Sequence, residues 1–139
     1  MAVEIEFPFE FVVSGRPASL QAKRKDSIAE WKKRVKQASY AKLPEGHFAA
    51  GGPISVTMFY FPETEMQGDI DNIVKPVLDA LCRHVYMDDK QVERIWVQKF
   101  EPEKLLEFAS PSGVLVEAIS GDKPLLYVRL SDDPSEGLT

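Results

Sequence analysis

The sequence predicts an α+β fold with α/β-type layers, in which a mixed β-sheet carries two main helices. One alternating segment opens the chain, two segments with helical spacing follow, and strand-like segments lie before, between and after them. The length of 139 residues is typical of a single domain with a full hydrophobic core. We therefore expect one domain over residues 1–130 and an acidic, frayed tail over 131–139.

The first predicted strand covers residues 3–13. Every second residue of this segment is apolar, and the residues between them are mostly glutamates. Pro8 interrupts the alternation and cannot donate a backbone hydrogen bond. We expect either an edge strand or a break into two shorter strands at this proline.

The first predicted helix covers residues 27–40. Ser27 followed by Glu30 has the form of a capping box, which marks the N-terminus of a helix. Apolar residues then recur at helical spacing, while basic residues occupy the other faces. Trp31 belongs to the apolar set, so we expect it in the hydrophobic core rather than in a base-stacking role.

A second alternating segment, residues 54–60, predicts a strand that ends at Pro62. From about residue 72 to 83 the apolar positions trace one face of a helix. Pro76 conflicts with that helix, because proline removes a backbone donor and clashes with the preceding turn. Either the first turn is distorted or the helix proper begins near Lys75.

Three strand-like segments close the chain, at residues 92–100, 114–119 and 125–130. In the first of them, Ile95 and Val97 share a face with Lys99, and Trp96 faces the other way. The turn-forming sequence at 120–124 separates the other two segments. It predicts a β-hairpin.

The net charge of −5 is unevenly distributed along the chain. Between Arg16 and Lys42, nine Lys or Arg residues stand against two acids, so this stretch carries +7 and the rest carries −12. A basic surface beside an acidic remainder is compatible with binding to a phosphate backbone. It is equally compatible with a solvated helix face.

Composition and the N-terminus narrow the protein class. The single cysteine, Cys82, excludes an internal disulfide. No apolar run approaches the roughly 20 residues that a membrane span needs. The N-terminus is acidic and lacks the basic start of a secretory signal. We expect a cytoplasmic protein without a membrane partner.

The most informative pattern is a group of four aspartates and a lysine within twenty-one residues: Asp69, Asp71, Lys75, Asp88 and Asp89. The two-residue spacing would place Asp69 and Asp71 on one side of an extended strand end, with Lys75 one helical turn later. Carboxylate oxygens suit Mg²⁺ or Mn²⁺, and a nearby lysine suits a phosphate. Aspartates also cap helices and turns, so Asp71 and Asp88 have a purely structural alternative.

Asp79 continues the face of the second helix on which Asp71 and Lys75 lie. It either orients Lys75 or is an exposed helix acid, and the sequence leaves both alternatives open. Cys82 and His84 follow at the end of the same helix. Their spacing, without further ligands nearby, does not favour a metal site.

With these residues the sequence resembles the RusA-type Holliday junction resolvases. The similarity lies in GDIDNIVKPVLDAL at residues 68–81 and VYMDDKQV at residues 85–92, with Lys99 at the far end of the following strand. These segments match an Asp-x-Asp-Asn-x-x-Lys helix start, an Asp-Ala-Leu helix end and an Asp-Asp pair before a strand. The flanking strands and the basic first helix fit the family order.

The resemblance implies a small homodimeric endonuclease that binds four-way DNA junctions and makes paired nicks with a divalent metal. It implies Asp69, Asp71 and Asp89 as catalytic, metal-binding carboxylates and Lys75 as an essential lysine beside the scissile phosphate. Asp88 is a further candidate ligand. The candidate DNA contacts are basic residues, of which all but the last precede or lie on the first helix: Lys23, Arg24, Lys25, Lys32, Lys33, Arg34 and Lys99.

The leading hypothesis is therefore a Mg²⁺-dependent DNA endonuclease, with Mn²⁺ as a second metal, that cuts branched DNA at four-way junctions. It requires Asp69, Asp71 and Asp89 to converge around one divalent ion. Three alternatives stay open: a catalytically silent RusA-like module that binds junctions or DNA, a nuclease acting on other branched DNA, and an acidic interaction protein.

Overall fold

A computed structural model describes residues 2–18, 25–66, 68–103 and 107–138 of the chain. Lys23 and Arg24, two of the expected DNA contacts, lie outside these residues, and only the backbone of Lys25 is described. In chain order the elements are β1 (Phe9–Ser14), α1 (Lys25–Tyr40), β2 (Ile54–Phe61), α2 (Asp71–Leu81), a 3₁₀ turn (Asp89–Gln91), β3 (Val92–Lys99), α3 (Gly113–Ser120) and β4 (Leu125–Ser131).

The strands form one mixed sheet in the order β1-β4-β2-β3. β4 is antiparallel to both β1 and β2, whereas β2 and β3 are parallel. A parallel pair needs a crossover connection, and α2 supplies it. The predicted α+β fold with a mixed sheet is confirmed, although α3 adds a third helix to the two that were expected.

The central strand β2 separates two hydrophobic clusters. Met58 lies in the larger cluster, together with Val35 of α1 and Leu81 of α2. The next residue, Phe59, lies in a smaller cluster with Leu115 of α3. Because successive strand residues point to opposite faces, α1 and α2 cover one face of the sheet and α3 covers the other.

The N-terminal segment breaks at Pro8, one of the two outcomes expected from the sequence. β1 begins only at Phe9, and a cis peptide bond joins Phe7 to Pro8. Before the break, Val3 forms an isolated bridge with His47 instead of extending the strand. The predicted alternation holds within β1, where Phe9 is buried together with the other residues of its parity.

Helix α1 begins at Lys25, two residues before the predicted start. Ser27 is therefore inside the first turn, and the capping box expected of Ser27 and Glu30 is wrong as a helix boundary. The predicted apolar face is confirmed, because Trp31 is only 3% exposed and Val35 is fully buried. That face anchors α1 on the sheet.

The predicted hairpin near the C-terminus is wrong. Residues 113–120 form α3, which leads directly into β4. The Ser112 hydroxyl caps this helix by accepting a hydrogen bond from the backbone N–H of Leu115 at 3.1 Å. Leu115 and Ala118, three residues apart, are the buried positions of one helical face.

The C-terminal residues, which were expected to be frayed, make defined contacts with the sheet. β4 extends through Ser131, and the chain then folds back so that Glu136 forms an ion pair with Arg129 at 2.7 Å. Arg94 of β3 donates to the backbone oxygen of Glu136 at 2.6 Å. These contacts attach the segment after β4 to two strands.

No helix among the described residues is both long enough and apolar enough to cross a bilayer.

Candidate functional site

The segment that carries Asp69 is a turn rather than a strand end. β2 ends at Phe61, and the chain reaches Asp69 through Gly68, whose φ of 88° lies in the region that glycine adopts without strain. Ile70 already has helical angles, and Asp71 is the first residue of α2. The extended geometry expected for Asp69 and Asp71 is therefore wrong, whereas the expected opening of a helix at Asp71 is confirmed.

Asp71 does not cap α2. The residue at the N-cap position is Ile70, and no side-chain hydrogen bond is made there. The Asp71 carboxylate is exposed in the first turn, where the partial positive charge of the helix N-terminus favours an anion. The helix continues through Pro76, so the proline does not delay its start to Lys75.

Lys75 is held between two carboxylates. Its ammonium nitrogen lies 2.8 Å from Asp79 Oδ1 and 3.1 Å from Asp89 Oδ2. The hydrogen bond to Asp79, followed in size by the one to Asp89, raises the pKa of Lys75 well above its usual value. This lysine is therefore a cation at neutral pH. Of the two alternatives for Asp79, the contact supports the one in which it orients Lys75.

Asp88 has a structural role at the turn before β3. Its carboxylate accepts a hydrogen bond from Lys90 N at 2.9 Å, and the Gln91 side chain accepts from Asp88 N at 2.9 Å. This reciprocal arrangement is a capping box. Gln91 also donates to the backbone oxygens of Ala50 and Gly52, both at 2.8 Å, which attaches the turn to the start of β2.

This capped turn carries Asp89 to α2. Tyr86, which is fully buried, donates to Leu78 O at 2.6 Å, and Asp89 Oδ1 lies 3.3 Å from the same hydroxyl. Burial raises the pKa of Tyr86 far above its usual value, so the phenol remains a neutral donor. Tyr86 was not among the predicted site residues, although it lies inside the motif at residues 85–92, three residues before Asp89.

The donor atoms suit a hard divalent cation, but three carboxylates do not meet in the described part of the chain. Asp69 and Asp71 are exposed, and Asp89 is partly exposed, so their oxygens are accessible to solvent. No group of three or more His, Cys, Asp or Glu residues among the described ones is arranged to hold a metal ion. Asp69, Asp71 and Asp89 as metal ligands thus stay a prediction.

The basic candidates occupy different places around this site. Lys32 of α1 lies 3.5 Å from Asp79, which links α1 to the Lys75 cluster. Arg34 points to the end of β1 and donates to Ser14 O at 3.1 Å. Lys33 is exposed on α1. Lys99 is at the opposite end of β3 from Asp89, 3.5 Å from Glu101.

A cleft of ≈ 170 Å³ adjoins the start of α2. Asp69 and Asn72 form one wall, and Arg16 and Tyr60 belong to the others. Arg16 was expected only as part of the basic stretch that ends at Lys42. No local pattern links Arg16 to Asp69, because they come together only when β1 and β2 lie in one sheet.

Comparison with known protein families defines the class. Residues 8–106 match a family model described as Endodeoxyribonuclease RusA, so the fold and the motif-bearing helix are those of a DNA endonuclease. The chain belongs to the RusA family, whose general activity is the resolution of Holliday junctions. A search of curated proteins finds no match to the chain.

Proposed function

We propose that this protein is a divalent-metal-dependent endonuclease that makes paired nicks in four-way DNA junctions. The ion pair between Lys75 and Asp89 is the observation that carries the proposal. It brings together two parts of the motif that are 14 residues apart in sequence. A cation and a carboxylate held together on an exposed surface suit phosphodiester chemistry better than they suit a folding role.

The proposed metal ligands are Asp69, Asp71 and Asp89, and Mg²⁺ is the expected ion, with Mn²⁺ as an alternative. When bound, the ion would activate a water molecule and neutralise charge on the phosphate. Both oxygens of Asp89 already have neighbours, Lys75 on one side and Tyr86 on the other. A cation would compete with these neighbours for the carboxylate. Asp88 is proposed to contribute less to metal binding, because its carboxylate already caps the turn before β3.

Lys75 is proposed to contact the scissile phosphate. Its ammonium group is half exposed, so it can leave Asp79 or Asp89 for a phosphate oxygen at small cost. A permanent positive charge at this position would offset the negative charge that develops as the bond breaks. Asp79 keeps the ammonium group in place before DNA binds.

DNA is proposed to approach across α1. Lys32 lies next to the site because it forms an ion pair with Asp79. Lys33 and Arg34 extend the positive surface along the same helix. Lys23, Arg24, Lys25 and Lys99 are proposed as further phosphate contacts. Such contacts bind phosphates without reading sequence, so affinity should fall steeply as salt rises.

The active species is proposed to be a homodimer, because paired nicks across a two-fold junction are served by two-fold protein symmetry. β3 is at the end of the strand order, and its Ile95 and Trp96 are 43% and 50% exposed. An apolar sheet edge of this kind suits association of two copies. Measuring the mass in solution tests the dimer directly.

The decisive experiment compares wild type with Asp71→Asn on a synthetic four-way junction in Mg²⁺, Mn²⁺ or a chelator. We expect the wild type to nick opposite strands only with metal, and the variant to be slower by about 100-fold or more. Asp122→Asn, which removes an exposed acid from the turn before β4, is the matched control and should cut at the wild-type rate.

The outcomes separate the remaining alternatives. Equal cutting by wild type and Asp71→Asn would remove the proposed site, and tight junction binding without cutting in any metal would favour the silent module. A linear duplex and a flap of the same sequence, assayed in parallel, distinguish a junction resolvase from a nuclease of other branched DNA. Absence of any salt-dependent DNA binding would favour an acidic interaction protein.

A further inference from the structure

The cleft beside Asp69 is lined by apolar and polar side chains that cutting a phosphodiester bond does not require. Its walls include apolar surface from Pro17, Pro62 and Met66, and polar groups from Arg16 and Tyr60. Pockets for drug-sized ligands range from about 300 to 1,000 Å³, whereas this cleft measures ≈ 170 Å³. The size of the cleft therefore suits a single small ring system.

The polar groups of the cleft offer both donors and acceptors to such a ring. Arg16 is exposed, and its guanidinium lies near enough to the Tyr60 hydroxyl to act on the pKa of that phenol. Burial raises the pKa of Tyr60, with Arg16 acting in the opposite direction, so the phenol is neutral at pH 7. Glu63 adds an acceptor and Asn72 adds an amide that can both donate and accept. Base edges present this same mixture of groups.

The position of the cleft connects it to the proposed cutting site. Asp69 and Asn72 line the cleft, and Asp71 lies between them at the first position of α2. A phosphate bound near these aspartates would place the base of the neighbouring nucleotide within reach of the cleft. A base at a branch point is less well stacked than one inside a duplex, which lowers the cost of moving it.

We propose that this cleft binds one unstacked nucleobase of the DNA strand that is cut, with Arg16, Tyr60 and Asn72 contacting its edge. The inference rests on the proposed function only in placing DNA beside Asp69. It makes the cleft a specificity site: the enzyme's preference for where it cuts a junction arises from the base that fits the cleft, in addition to the shape of the junction.

The first test replaces single nucleotides around the cut position of a junction by abasic residues. At one position, loss of the base should slow cutting by about tenfold or more, the scale expected when hydrogen bonds to one base edge are lost. Abasic residues at the positions next to it should change the rate by no more than about twofold. Uniform tolerance of abasic residues would overturn the proposal.

The second test does not depend on cutting. The wild-type protein is titrated with each deoxynucleoside 5′-monophosphate and with base-free deoxyribose 5-phosphate, while backbone amide NMR signals are followed. At least one nucleotide should shift the signals of Met66 and Asn72, and the base-free ligand should not. Identical shifts from both kinds of ligand, or no shifts from any, would contradict a base-binding cleft.

Variants sharpen both tests. Arg16→Ala should weaken the nucleotide titration and reduce the abasic effect, and Tyr60→Phe should do so to a smaller degree. Lys42→Ala removes an exposed charge beyond the other end of α1 and should change neither result. A base-dependent titration with no cutting of any junction would reject the proposed nuclease and support the base-binding cleft. Cutting without base dependence would support the nuclease and reject the base-binding cleft.

Discussion

The two ends of α2 hold polar groups in opposite surroundings. Near its start, Lys75 and Asp89 form an ion pair in which the lysine side chain is 50% exposed. Just beyond its end, His84 is only 7% exposed and is hydrogen-bonded to Ser39, which is fully buried. Exposed ion pairs contribute little to folding, whereas buried polar groups are costly to disturb. We therefore expect the Lys75–Asp89 pair to serve catalysis and the His84–Ser39 pair to stabilise the fold.

The hydrogen bonds at the buried end define the state of His84. The Ser39 hydroxyl donates its hydrogen to Lys36 O at 2.7 Å, so it accepts from His84 Nε2 at 2.8 Å. The imidazole is thus the neutral Nε2–H tautomer. Its Nδ1 is buried without a hydrogen-bond partner among the described residues. Protonation at Nδ1 would bury a charge beside the Tyr40 ring, which stacks on the imidazole with the two ring centroids 4.6 Å apart.

The largest expected effect follows from removing the cation at the exposed end. Lys75→Ala should slow junction cutting by about 100-fold or more, because the ammonium charge that offsets negative charge on the phosphate in the transition state would be lost. The free energy of unfolding should change by no more than about 1 kcal/mol, since the ion pair is half exposed. Parallel cleavage assays and urea unfolding measure both quantities, with Lys42→Ala as the control.

A large loss of stability in Lys75→Ala would contradict this division between the two ends of α2. It would mean that the exposed cluster is needed to hold α2 against the turn before β3. Retention of full activity would instead remove Lys75 from the proposed chemistry.

The second effect is a loss of stability in acid that comes from the buried end. Burial, with smaller contributions from Lys36 and His47, lowers the pKa of His84 to about 4. The unfolded chain binds a proton near pH 6.5 and the folded chain does not, so stability should fall as the pH drops from about 6.5 to about 4. The full loss is about 3 kcal/mol.

Urea unfolding between pH 8 and pH 4 measures this dependence. His84→Gln keeps a donor for Ser39 but cannot be protonated, so its stability should depend less on pH in that window. His47→Gln alters the neighbouring ring, which hydrogen-bonds His84 O at 2.9 Å, and should retain the slope. Parallel pH profiles of His84→Gln and the wild type would show that other groups cause the acid sensitivity.

Much of the fold could be predicted because the periodic patterns are long. The alternation in β2 and the apolar stripe of α1 each extend over several repeats, and both elements are present. The segment that became α3 has only six apolar-rich residues, and at that length a strand and a buried helix look alike. Ser112 was the available signal, since it stands at the N-cap position.

The candidate site was predictable where it depends on helical spacing. Lys75 and Asp79 are four residues apart, and their ion pair follows from that spacing. Asp88 and Gln91 likewise carried a capping-box pattern in the sequence. The contacts of Tyr86 with α2 and of Arg16 with the Asp69 cleft could not be predicted, because each depends on how distant segments pack.

The smallest expected effect tests whether Asp79 acts through Lys75. Asp79 contacts Lys75 at 2.8 Å and Lys32 at 3.5 Å, so it orients one cation and links two helices. Asp79→Asn should slow junction cutting by about tenfold, the scale seen when a supporting partner of an active-site group is removed. Stability should change by less than about 1 kcal/mol, because the contacts are partly exposed.

A double-mutant cycle distinguishes positioning from a separate role. If Asp79 works by orienting the Lys75 ammonium, Asp79→Asn should have almost no further effect on the cutting rate once Lys75 is alanine. Glu117→Gln, an exposed acid on α3, serves as the control for loss of one negative charge. An equal loss of rate in both backgrounds would show that Asp79 acts independently of Lys75, and the link to Lys32 would then be the contact to test.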